Sequence, residues 1–169
     1  MLDKVCSVID RTNHLLGRGV AWLALAMVLL MAAIVVLRYF FQFGSIAMQE
    51  AVMYLNALLF AAGAGYTLKE QGHVRVDIFY SRLTSRQQAW IELVGGVLFL
   101  LPMTLFILVT SWDYVALSWR IREGSIESSG LPFVYLLKSM IPLLAALLAL
   151  QGIAEMLKAI RVLRAGPAS

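Results

Sequence analysis

Residues 19–37 read "GVAWLALAMVLLMAAIVVL", nineteen positions without one ionisable side chain, closed by Arg18 before and Arg38 after. A helix needs about 20 apolar residues to cross roughly 30 Å of hydrocarbon, so this run suffices for one membrane crossing. Working outward, three more charge-free runs follow: Ala51 to Leu68, Leu93 to Trp112 and Ser139 to Ala154. The last is short, and extending it to Leu131 makes it long enough if Lys138 snorkels to an interface or finds a partner. The expected fold is therefore an all-α integral membrane protein with four transmembrane helices, over approximately 19–40, 48–70, 90–114 and 132–156, joined by interfacial amphipathic segments. Residues 1–169 are expected to form a single membrane domain.

Composition points the same way. Of the 169 residues 61% are hydrophobic and 14% charged, and mean hydropathy is +0.81, a balance that would make a water-exposed surface aggregate. The first span could be mistaken for a cleaved signal peptide, but Ala24 and Ala26 lie inside the apolar run and not after it, so a retained helix is expected. The one cysteine, Cys6, has no partner for an internal disulfide.

Lysine and arginine set the orientation. The N-terminal segment, the second connection and the C-terminal tail together hold ten of them, and the first and third connections hold four. Both termini are expected in the cytoplasm, as for a multi-pass inner-membrane protein. The net charge of +4 thus reports topology, and no basic patch interleaved with aromatics points to nucleic acid.

The connections carry local signals. "LRYFFQFGSIAMQE", 37–50, places Tyr39, Phe40, Phe41 and Phe43 in the outer headgroup layer, with Gly44 and Ser45 as the break before the second helix. In the inner connection Gly72 can cap the second helix, and Thr84 and Ser85, each three residues ahead of Gln87 or Gln88, resemble a capping box for the third. Trp112, Tyr114 and Trp119 form an outer aromatic belt. The stretch "RIREGSIESSGLP", 120–132, is rich in turn formers. Pro102 and Pro142 fall inside helices and predict local distortion.

Chemistry is sparse. No ionisable residue falls near the middle of a span, where such groups are costly and usually functional. No catalytic triad, metal-ligand cluster or phosphate-cradling glycine loop is recognisable, so no catalytic residue, metal or cofactor is assigned. Asn56, Thr104, Thr110 and Ser111 could line a path, but bonds to backbone or between helices explain such residues more simply. Ala57, Ala61 and Gly65 give the second helix a small-residue face that admits a close neighbour, either within this chain or from another protein. Arg38 and Glu50 flank the outer connection as headgroup anchors or as an ion pair. His73, Arg75 and Asp77 read as a solvated inner loop or a motif.

Taken in order, Arg38 and Tyr39 ending the first span, Glu50 opening the second, the small run with Gly63, "GHVRVD" from Gly72 to Asp77, and Gly124 and Ser125 followed by Leu131 and Pro132 resemble the DctQ-like small subunit of TRAP (tripartite ATP-independent periplasmic) transporters. The resemblance runs from Arg38 to Pro142. It implies a scaffold beside a large permease subunit, which moves an organic acid such as a dicarboxylate or 2-oxo acid with sodium ions. A periplasmic substrate-binding protein, a transient partner, delivers that cargo. Membrane lipids complete its surroundings. The candidate subunit-interface or structural motif residues are Arg38, Tyr39, Glu50, Gly63, His73, Asp77, Gly124, Ser125 and Pro132 from the resemblance, and Ala57, Ala61 and Gly65 from the small-residue face of the second helix. The other readings are an autonomous small four-helix transporter, against which the acid-free first span argues, and a non-catalytic subunit of another membrane complex.

Overall fold

The computed structural model describes residues 2–69 and 83–164, with side chains over 19–68 and 83–164. Helix α1 runs over Leu2–Phe40 and α2 over Ile46–Lys69. Helix α3, Ser85–Gly95, passes through a π-helical turn, Gly96–Leu100, into α4, Leu101–Ile121. Helix α5 covers Val134–Arg164. Four helical stretches are long and apolar enough to cross a membrane: Gly19–Phe40, Ile46–Leu68, Ser85–Ile121 and Val134–Arg164. No strand occurs among the described residues.

The helix ends follow from capping. Ser45 accepts the Met48 N–H at 3.3 Å and opens α2. The residue that turns the chain before it is not Gly44 but Gln42, at φ 52, and the Phe43 N–H returns to the Leu37 carbonyl at 3.0 Å, satisfying a carbonyl that the helix leaves open. At α3, Thr84 accepts the Gln87 N–H while the Gln87 side chain accepts the Thr84 N–H at 2.9 Å, a complete capping box. Helix α4 ends with Arg122 in the left-handed region, φ 47, and the Glu123 N–H bonded to the Ser118 carbonyl at 3.0 Å, a Schellman closure.

The long third helix exceeds the expected 90–114, because the capping box starts it at Ser85 and the π turn carries it onward without a break. Pro102 lies just past that turn, where the missing N–H needs no partner one turn back. The fourth helix likewise continues past 156 to Arg164. Residues 70–82, which hold Gly72, His73 and Asp77, lie outside the described residues.

Helix α5 is the hub. It packs on α2, on α3 and α4, on the π turn and on α1, whereas α1 packs chiefly on α2. Interlocking fits α5 to the π turn: a Cβ on Gly96 would stand 2.6 Å from Met156 Cγ, and one on Gly152 would meet the Leu100 side chain. Glycine at both positions lets these backbones approach closely. No described side chain of the α1 span is buried. The helices thus form an open layer with broad apolar faces turned outward, among them Trp22, Phe60, Phe99 and Phe106.

Candidate functional site

The loop between α4 and α5 is closed on itself and held to α2. The Ser125 N–H donates to the Leu131 carbonyl at 3.0 Å, and the Gly130 N–H to the Glu127 carbonyl at 3.0 Å. The Glu127 N–H donates to Ser125 Oγ at 3.1 Å. Into this ring comes the Glu50 carboxylate from the first turns of α2. It accepts the Ser125 hydroxyl on Oε1 and the Leu131 N–H on Oε2 at 2.6 Å. Hydrogen bonds to an ionised acceptor are the strong ones, so both carboxylate oxygens tie the loop down.

Glycine is required at position 130 by crowding. A Cβ on Gly130 would collide with the Ser125 side chain and stand 2.7 Å from Glu50 Oε1. Gly124 faces Pro132, whose Cα would lie 3.5 Å from an added Cβ. Gly124, Ser125 and Pro132 are therefore brought together with Glu50. Glu50 and Arg38 do not pair with each other: among the described residues Glu50 takes a hydroxyl and a backbone amide, and Arg38 stays exposed beside Tyr39. Arg38 and Tyr39 line a separate shallow cleft with Met31 and Gln49.

A second cluster braces α4 to α5 just below the loop. Lys138 donates to Glu123 at 2.6 Å and lies 4.0 Å from the centre of the Tyr114 ring, a cation–π contact. The Trp119 indole donates to Ser139 Oγ at 2.8 Å, and Ser139 donates to the Tyr135 carbonyl at 2.7 Å. The ammonium holds the Glu123 carboxyl below its ordinary value, because an adjacent cation favours the charged form. Lys138 thus has the partner that the short fourth run required.

The small-residue face of α2 is filled from within the chain. Ala61 is 1% exposed and Gly65 is buried, and Ala57 and Ala61 border a cleft whose other wall is Val134, Leu137, Ile141 and Leu144 of α5. A Cβ on Gly63 would stand 3.9 Å from Val20 of α1. Polar residues inside the spans mostly serve the backbone: Thr104 donates to the Leu100 carbonyl at 2.9 Å and Thr110 to that of Phe106 at 2.8 Å.

One polar group escaped the sequence reading. Gln151, 0% exposed on α5, donates to Glu155 at 2.7 Å, which also accepts Lys158 at 2.9 Å. Their spacing of four and three residues puts all three on one helix face, a signal present in the sequence. The described residues contain no group of three or more His, Cys, Asp or Glu that could hold a metal ion.

Comparison with curated proteins and with solved structures gives no match. The family model for the DctQ component of tripartite ATP-independent periplasmic transporters matches residues 27–162. That range takes in the second and third spans whole, most of the first and all but the last two residues of the fourth, with the loop clasp and the Lys138 cluster. The chain belongs to the DctQ family, the small membrane component of TRAP transporters.

Proposed function

We propose that this small membrane subunit is a static scaffold for the large permease component in sodium-coupled uptake of organic acids, such as dicarboxylates or 2-oxo acids, that a periplasmic substrate-binding protein delivers. The observation that carries the reading is the open layer. Helix α5 ties the other helices together, no described side chain of the α1 span is buried, and large apolar side chains face outward on α1, α2 and α4. A wall that supports a moving neighbour needs apolar bulk on a braced frame, and the clasped outer loop and the Lys138 cluster brace one end of it. Sodium and cargo sites then belong to the large component. The ten to four division of basic residues supports cytoplasmic termini, and membership of the family supports a place in the inner membrane.

Co-expression with the large component, purification through a tag on either chain and sizing in mild detergent tests the reading. A complex of fixed stoichiometry is expected. Separate elution of two well-folded chains would overturn it.

A further inference from the structure

We propose that the outward stripe of α2 formed by Gln49, Met53, Asn56 and Phe60 seats a membrane helix of the large component, and that this helix brings a polar side chain to the Asn56 amide. The inference rests on the scaffold reading and assigns it a surface.

The four positions follow at intervals of four, three and four, the seam along which two helices pack side by side. All four are exposed, Met53 at 53% and Phe60 at 64%. The flanking faces are taken: Ala57 and Ala61 turn to α5, Gly65 is buried, and Gly63 faces Val20 of α1. Asn56 sits near the midpoint of the Ile46–Leu68 span, and its amide makes no hydrogen bond among the described residues. Lipid tails offer nothing to an amide, and an unpaired one in hydrocarbon is costly. A covering protein segment with a donor or acceptor at that depth removes the cost.

The outward face of α4 makes the contrast. Phe99 in the π turn, then Met103, Phe106 and Val109, are exposed and wholly apolar, and the exposed Thr110 hydroxyl is satisfied by its own helix. That face suits lipid as it stands. The α2 stripe does not. A family of three-component transporters supplies a membrane partner other than a second copy of this chain.

The test is Asn56→Leu, with Asn56→Gln beside it, in the full chain reconstituted with the large component. Leucine is more apolar and a better helix former, so lost association would not reflect failed insertion. Association in liposomes, followed by energy transfer between labelled subunits over a lipid-dilution series, should weaken about three- to twentyfold for Asn56→Leu, the range of interhelical hydrogen bonds in bilayers. Asn56→Gln should retain part of it. A photo-crosslinking benzoylphenylalanine at Phe60 should give an adduct with the large component. Unchanged association of Asn56→Leu, or an adduct only with a second copy or with lipid, would overturn the assignment. If the unmodified chain itself failed to associate, the scaffold reading would fall and the assignment with it.

Discussion

The carboxylate of Glu50, in the first turns of α2, accepts the backbone N–H of Leu131 at 2.6 Å across 81 positions of sequence. The same side chain takes the hydroxyl of Ser125, so one acid joins the second membrane helix to the loop that ends the third. Such a loop would otherwise be closed only by its own turn bonds. The clasp fixes this loop relative to the helices it joins.

Removing the clasp should loosen the loop without unfolding the helices. Glu50→Ala removes the acceptor of the Leu131 amide and of the Ser125 hydroxyl and should lower stability. Glu50→Gln keeps an acceptor and should cost less. Gly130→Ala should match Glu50→Ala, since the added methyl collides with Ser125 and Glu50, and the double variant should fall short of the sum because both break one contact. Thermal unfolding in detergent, with trypsin cleavage after Arg122, measures both effects. Full additivity would mean that the two residues act separately.

Two substitutions on the inward face of α2 should have opposite signs. Ala61→Leu overpacks the α2–α5 contact, at about 1 to 3 kcal/mol, and should lower the melting temperature of the isolated chain. The Tyr54 hydroxyl is buried with no hydrogen-bond partner among the described residues, so Tyr54→Phe should leave stability unchanged or raise it. An unaffected melting temperature for Ala61→Leu would place that face outside the chain's own packing.

The Glu123 carboxyl has its pKa lowered by the Lys138 ammonium from the ordinary value of 4.5. A carboxyl depressed in the folded state contributes stability that is complete above the unfolded value and is lost as pH falls through the folded one. Between pH 7 and 5 wild type should therefore hold a constant margin over Glu123→Gln, and below about pH 4.5 the margin should shrink. Melting curves from pH 7 to 3 provide the check, and a margin that grew on acidification would contradict the ion pair.

Local features of this fold were legible in the sequence, and distant ones were not. The four spans, the Thr84 and Gln87 capping box and the break at Ser45 depend on neighbours within a few residues, and each is present, although the third and fourth helices run longer than expected. The partner of Glu50 did not, because Ser125 and Leu131 lie 75 and 81 positions away and nothing in the spacing selects them over Arg38. The faces of α2 posed the same problem. Both the Ala57, Ala61, Gly65 row and the Gln49, Met53, Asn56, Phe60 row have helical periodicity, and only the placement of α5 decides which one is covered. The resemblance brought Gly124, Ser125 and Pro132 to notice as a motif, and their physical role became visible only once the loop was closed in space.

Topology rests on the basic-residue count, and Cys6 reports on it. A membrane-impermeant thiol reagent applied to intact cells should leave Cys6 unlabelled until the membrane is permeabilised, as a cytoplasmic N-terminus requires. Ready labelling from outside would invert the orientation and put the Glu50 clasp on the inner face.

The scaffold claim is tested most directly by reconstitution in liposomes, using the complete three-component transporter to establish which organic acid is carried and then this subunit by itself under the same sodium gradient. The account predicts uptake by the complete system and none by the purified subunit, with or without sodium. Sodium-dependent uptake of the same acid by the subunit alone would contradict it.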